Sequence, residues 1–408
     1  MSAALQSRVA AVPARTSGPS TWSPEFSLLV AAVRSQVGIS GAGFAGAQSL
    51  DWRYLSRLAE FHHVAPIVCN SLCAGQAPPA EHAALRSAFD RNLRRNLALS
   101  AELLRISDLL TQHGVPHVPY KGPLLAETVY GNLGLRSFVD LDILVPREHV
   151  LRAKRLLLAN GFSEPDALDS ALDAHYLHFG SEWVLVNPTA DCQVELQWEL
   201  MPRHSVLPLD VTALVARSVT VEFGGRRLQS LSPEDLFLVI SLHGSKHRWK
   251  RLLWLGDVAA TLRTYAGMDF GLILQRAQQM GARRMFLLGP LLAGQVLETP
   301  LPTILQQAVA ADAKLQMLAH DIAGGLEDAP AHDVHRYLMS IRERRSDRAR
   351  YVLRMAVEPT PTELSILKLP RPLFPLYRVL RLGRFAGLGV TAGLSRVGEF
   401  FRRRQPAQ

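Results

Sequence analysis

The sequence predicts an α+β protein: a small mixed β-sheet with attached helices, flanked by N-terminal and C-terminal helical regions. Three observations predict it. Apolar residues recur at helical spacing before about residue 114 and again after about residue 231. Between those limits, short apolar runs alternate with short helical stretches. The 408 residues, 48% hydrophobic and 20% charged, also hold enough apolar side chain for a substantial core and more than one domain.

Residues 1–25 read as a disordered leader, because they contain no compact apolar segment of signal-peptide type. From Phe26 to Cys73 the chain reads as helical, with Leu28, Leu29 and Val33, then Leu55 and Leu58, at helical spacing. A second helical stretch runs from Pro79 to Gln112 and stops at His113-Gly114. These stretches form an N-terminal helical region, 26–113. An α/β unit follows over 114–231. Pro116 to Tyr120 is short and extended. Gly122 to Tyr130 reads as a helix with Pro123 in its first turn, where proline is tolerated. Asp140 to Val145 is a strand. Arg147 to Asn160 is an amphipathic helix stopped at Asn160-Gly161. Trp183 to Val186 and Cys192 to Trp198 are two strands joined around Asn187-Pro188. Gly224-Gly225 marks a hairpin turn, since both glycines can take positive φ.

Ser232-Pro233-Glu234-Asp235 is a helix start: a serine cap, proline at the first position and acids in the first turn. It opens a helical domain over 232–330. Beyond Pro300 the pattern weakens, and 331–408 reads as a helical, basic extension ending in Phe400-Phe401-Arg402-Arg403-Arg404.

Composition narrows function without choosing it. The net charge is +9, from 45 Lys+Arg against 36 Asp+Glu. Such an excess suits a phosphate-rich ligand, nucleic acid or an anionic surface, and equally a set of solvated arginines. The three cysteines, Cys69, Cys73 and Cys192, form no CxxC pair, which argues against a disulfide framework or a zinc knuckle. That usage fits a reducing, cytoplasmic setting. The longest apolar run, Met285 to Val296, is interrupted by Gly289, Pro290 and Gly294 and falls short of the roughly 20 residues that span a bilayer. There is neither a GxxxxGK[ST] phosphate loop nor a GxSxG elbow.

The chemistry-bearing stretch is Arg136-Ser137-Phe138-Val139-Asp140-Leu141-Asp142-Ile143-Leu144-Val145. Strand alternation sends Asp140 and Asp142 to one side, a few ångströms apart. Two accounts stay open. The pair sits on a solvated outer face, or it shares a cation. Aspartate is disfavoured in strands, and the flanks are apolar on both parities, so the pair needs a counter-charge. Arg136 or a divalent metal ion supplies one. Magnesium takes hard oxygen ligands of this kind. Glu195, in the apolar run Val194-Glu195-Leu196-Gln197-Trp198, offers a third carboxylate, with Asp191 and Glu199 as rivals nearer turns. Upstream, Lys121-Gly122 lies at a strand-to-helix junction, suited to a phosphate or simply to a tight turn. Downstream, His243, Lys246, His247, Arg248, Lys250 and Arg251 form a cationic segment. It reads either as a wall for phosphates or as a solvated face around core Trp249 and Trp254. Asp257 is placed to orient a basic residue.

The run KGPLLAETVYGNLGLRSFVDLDILV, followed by a helix ending in NGF, resembles the nucleotidyltransferase superfamily. More narrowly, it is similar to a bacterial family of uncharacterised nucleotidyltransferases. VELQWEL, LHGSKHRWKRLLWLGDVAATL and LKLPRPLFPLYRVLRL carry the likeness on, so that it covers about residues 50 to 385. The resemblance implies a nucleotidyltransferase-like sheet and a Mg²⁺-dependent enzyme, with Mn²⁺ as a substitute metal. It would move a nucleoside monophosphate from an NTP such as ATP to an acceptor hydroxyl or phosphate, releasing pyrophosphate. By the same resemblance Asp140, Asp142 and Glu195 are catalytic metal ligands. Lys121, Gly122, Arg136 and Ser137 become triphosphate-binding candidates, joined by His243, Lys246, His247 and Arg251. The acceptor is open among a small molecule, a sugar, a peptide and a protein, with nucleic acid as a lesser partner. Two departures from the pattern, Gln197 where relatives often carry His and a Lys-Gly turn nineteen positions before Asp140, support a second reading: a degenerate nucleotide-binding or regulatory module on the same scaffold.

Overall fold

The computed structural model describes residues 22–39, 49–72, 76–165, 173–201, 207, 209–328, 334–367 and 369–386. Most of the leader, Cys73 and the basic C-terminal tail lie outside them.

Helix α1, Pro24–Gln36, starts where Ser23 accepts a hydrogen bond from the Phe26 N–H, with proline in the first turn. α2, Trp52–Phe61, is capped by Asp51. α3, Ala65–Ser71, follows directly. α4 runs the full predicted length, Pro79–Gln112, and its 34 residues span about 50 Å. It ends at His113 with Gly114 at φ +61°, the left-handed geometry that glycine permits without strain.

The sheet has four strands in the order β1-β2-β4-β3: β1 Val118–Pro119, β2 Asp140–Leu144, β3 Glu182–Asn187 and β4 Cys192–Gln197. β1 pairs with β2 antiparallel, β2 with β4 parallel, and β3 with β4 antiparallel, so the sheet is mixed. α5, Gly122–Thr128, joins β1 to β2. A single 3₁₀ turn, Arg147–His149, and α6, Val150–Leu158, cover the sheet, and α7, Asp173–Phe179, precedes β3. Alternation divides the strands. Leu141, Ile143, Trp183, Leu185, Cys192, Val194 and Leu196 point into a core shared with Leu99, Leu103 and Ile106 of α4 and Val150, Ala153 and Leu157 of α6. The opposite face carries Asp140, Asp142, Glu195 and Gln197 beside Leu144, Val184 and Val186.

α8, Val211–Ala216, leads to a hairpin of β5, Val219–Phe223, and β6, Arg226–Ser230, with Gly224 and Gly225 both at positive φ. The remainder is helical: α9 Pro233–Lys246, α10 Leu252–Thr264, α11 Phe270–Gln279, α12 Arg283–Leu297, α13 Thr303–Ala310 and α14 Ala313–Gly324. α15 Val334–Ser340, α16 Arg345–Val357 and α17 Pro361–Ile366 follow. Apolar faces of α9 to α16 build a second, larger core with α1, α2, α3 and the first half of α4. α4 therefore carries both cores, with Leu85 and Phe89 in one and Leu99 to Leu110 in the other.

The run Met285 to Val296 lies in one continuous helix of the expected helical domain despite Gly289 and Pro290, because packing against α9 outweighs local propensity. Two expectations change. The weak pattern after Pro300 holds real helices, in which Leu305, Ala308 and Val309, then Leu315, Ala319 and Ile322, are buried at helical spacing in stripes that are short and partly alanine. The chain is already helical at Pro24, two residues before the expected start. No helix among the described residues is long and apolar enough to cross a membrane.

Candidate active site

The face of the sheet opposite that core gathers the carboxylates. In the parallel pairing Asp142 lies opposite Glu195 and Asp140 opposite Gln193, so all four side chains share one face. Glu182 of β3 pairs with Gln197 and joins the same face. Sequence reading missed Glu182, because nothing in its own stretch marks β3 as lying beside β4 rather than elsewhere. Asp142 and Glu195 are buried, at 5% and 8% exposure, while Asp140 is half-buried. Of the rivals, Asp191 occupies a left-handed turn position at the far end of the β3–β4 hairpin, and Glu199 follows the end of β4.

Crowding has an electrostatic cost. Burial, then Asp142, raises the Asp140 carboxyl to about 6. Burial, then Asp142, Glu182 and Asp140, raises Glu195 to about 8. The cluster carries more negative charge than it can hold comfortably.

Lys121 supplies part of the missing charge. The turn sits far upstream in sequence, yet its ammonium lies 3.0 Å from Asp142 Oδ1. Burial works against the charged lysine, but Asp142 and its neighbours more than offset this and raise its pKa. Gly122 makes the approach feasible. At φ +54°, an added Cβ would stand 3.4 Å from the Asp140 carbonyl oxygen, so the turn lies directly on the strand.

Gln197 ties the cluster together. Its Nε2 donates to Asp142 Oδ1 at 2.8 Å and to Glu195 Oε2 at 2.9 Å. The buried Tyr120 hydroxyl donates to Gln197 Oε1 at 2.7 Å and thereby fixes which end of the amide faces the acids. The sequence flagged Gln197 as a departure; its bridging position needed the register of β2 on β4.

Arg136 is committed elsewhere. Its Nε and Nη2 donate to the two oxygens of Asp257 at 2.9 Å each, and the Tyr130 hydroxyl donates to Asp257 as well. All three side chains are buried. Asp257 does orient a basic residue, as expected, and that residue lies 121 positions upstream. Asn96 of α4 holds the same loop by donating to the carbonyls of Leu133 and Arg136. Ser137 is half-buried on this loop.

The end of α9 and the start of α10 form the facing wall. His243 meets the Trp254 ring edge-on at 5.4 Å, and His247 lies tilted against it at 5.3 Å. Burial depresses both imidazoles strongly; Lys121 is the next cause for His243, and Lys246 then Lys121 for His247. Burial and the neighbouring positive charges keep both rings neutral. Arg251 is buried, and burial lowers its pKa to about 10. Its guanidinium lies 4.1 Å over the Phe61 ring, and its Nη1 has no hydrogen-bond partner. A buried, unneutralised guanidinium is a strong attractor of anions. His62 and His63 are held neutral nearby, at about 3 and about 4, by burial and then by Arg251.

Trp249 anchors the wall. Arg248 and Trp249 both adopt left-handed backbone, at φ +57° and +54°. The fully buried indole fits a slot in which a Cβ on Gly244 would lie 2.3 Å, and one on Gly289 2.9 Å, from the ring. Its Nε1 donates to Ser245 Oγ, which donates to the Met285 carbonyl.

The donor chemistry fits a divalent hard cation: clustered carboxylate oxygens with raised proton affinity. As the side chains stand, no group of three or more His, Cys, Asp or Glu among the described residues is arranged to hold a metal ion. Lys121 and Gln197 both occupy Asp142 Oδ1. The arrangement combines an acidic sheet face with a buried guanidinium, Arg251, that has an unused donor.

No curated protein sequence matches the chain. The model of one protein family does, over residues 48–298, and that family is described as uncharacterised nucleotidyltransferase. The matched span includes the four-stranded sheet, Lys121, the carboxylate face and the segment from His243 to Asp257.

Proposed function

Because the chain belongs to the uncharacterised nucleotidyltransferase family and is therefore a transferase of nucleotidyl groups, we propose that it transfers a nucleoside monophosphate from an NTP to an acceptor hydroxyl or phosphate, with Mg²⁺ on the carboxylate face. The observation that carries this reading is the pairing of Asp142 with Glu195 on the face that also bears Asp140, with the Lys121 ammonium 3.0 Å from Asp142. Asp140, Asp142 and Glu195 would hold the metal, which when bound neutralises charge on the phosphates and polarises the reacting phosphorus.

The rest falls to the chain itself. Arg251, with Lys246 and Lys250 beside it, receives the β- and γ-phosphates, and the neutral His243 and His247 rings donate hydrogen bonds rather than charge. Arg136 and Ser137 shape the loop under the site, with Arg136 acting through Asp257. The acceptor oxygen attacks the α-phosphorus in line as the bond to pyrophosphate breaks. Positioning and electrostatic stabilisation supply most of the rate. Trp249 holds the basic wall at a fixed distance from the sheet.

Calorimetry with ATP, CTP, GTP and UTP, with and without Mg²⁺, tests the reading. Metal-dependent binding of at least one nucleotide is expected. Asp140→Asn and Asp142→Asn should lower pyrophosphate release, with a metabolite extract as acceptor source, by about 10²- to 10³-fold or more while the fold is kept. Full activity in either variant sinks the assignment. Failure to bind any nucleotide favours the degenerate-module reading, which draws on Asp142 being already engaged by Lys121 and Gln197.

A further inference from the structure

Asp142 Oδ1 accepts from two donors at once, the Lys121 ammonium at 3.0 Å and the Gln197 amide at 2.8 Å. The amide also reaches Glu195 Oε2 at 2.9 Å, and Tyr120 locks its orientation. Lys121 is thus a built-in cation among acids that are otherwise under-neutralised, and the oxygens a metal ion needs are those it already uses. Arg136, four residues before β2, donates to Asp257 of α10 at 2.9 Å, so the helix that opens at Arg251 docks against this end of the sheet, where an anion would draw the ammonium. A lysine side chain has four rotatable carbons and a compact charge, so it can exchange one anionic partner for another without backbone change.

We propose that Lys121, with Gln197, is a placeholder for the metal ion. It fills the carboxylate face when no nucleotide is present and moves to the phosphates when one binds, so that metal and nucleotide enter together. The inference rests on the proposed nucleotidyl-transfer reading and adds the order in which the site fills. A single charge that either closes the metal site or grips the phosphate makes each ligand favour the other. Free metal ions competing with this ion pair of the protein bind weakly.

The test is Mn²⁺ binding at pH 8 without nucleotide, followed by electron paramagnetic resonance of the free ion. Wild type should bind Mn²⁺ weakly. Lys121→Met and Lys121→Gln should bind it at least about tenfold more tightly, and Gln197→Ala should give a smaller gain. Asp142→Asn in the Lys121→Gln background should abolish the gain, which ties it to this site. Equal or weaker Mn²⁺ binding in a folded Lys121 variant, checked by circular dichroism, overturns the proposal. So does saturation of wild type at micromolar Mn²⁺ without nucleotide, a result that requires no variant. If wild type binds nucleotide with metal but the Lys121 variants show no gain, only the placeholder fails. If wild type binds no nucleotide under any condition, the nucleotidyl-transfer reading itself fails.

Discussion

Glu195 shows how a single side chain reports its surroundings. A carboxyl held at about 8 in the folded protein, against about 4.3 in an unfolded chain, keeps a proton that the unfolded chain has released across the interval between. Folded stability contributed at this position therefore falls as pH rises from about 4.3 to about 8, by at most about 1.4 kcal/mol per pH unit. Glu195→Gln removes the slope. In metal-free buffer, urea unfolding should show the variant gaining on wild type as pH rises through this window and levelling above it. A difference that stays flat across the window refutes the crowding described for this face. Asp257 makes the opposite case, a carboxylate fully matched by its partner. Asp257→Asn leaves the buried Arg136 charge uncompensated and should cost about 3–5 kcal/mol by the same measurement. Of these residues, the sequence marked Asp140, Asp142 and Glu195 through carboxylates in apolar strands. It could not mark Glu182, Tyr120 or Asn96, whose roles depend on neighbours 15 to 77 positions away.

At the level of elements, the site is a junction between the sheet's carboxylate face and the α9–α10 corner. The helix and strand limits were largely legible: Pro79–Gln112, the Ser232 cap and the strand at Asp140 appear where periodicity and caps place them. The corner was not, because two consecutive left-handed non-glycine residues have no local signature. It exists because Gly244 and Gly289 leave room for the Trp249 ring. Gly244→Ala puts a Cβ into that ring and should destabilise the fold by about 1–3 kcal/mol, read as a lower denaturation midpoint. It should also weaken nucleotide binding in calorimetry, since Lys250 and Arg251 follow Trp249 directly. Unchanged nucleotide affinity in a folded Gly244→Ala protein would separate the anchor from the basic wall.

For the whole molecule, two cores meet along α4, and the site lies between them. A ligand that bridges the acidic face and the basic wall ties the cores together and stabilises only the folded state. Mg²⁺ with the preferred NTP at about a hundred times its Kd should raise stability by about 2.7 kcal/mol, visible as a higher Tm. Asp142→Asn should lose most of that shift. A Tm indifferent to every Mg²⁺·NTP pair would remove the site from the junction.

The sequence by itself determined the α+β class, the helical flanks and the placement of Asp140 and Asp142 on one side of a strand. Those follow from local periodicity, which one stretch of chain carries alone. Only the tertiary structure decided that Glu195 lies beside Asp142, that Lys121 reaches them, that Gln197 bridges the pair and that Arg136 belongs to Asp257. Strand register and helix docking are set by the packing of two cores, and buried charges then settle on whichever partners that packing brings within reach.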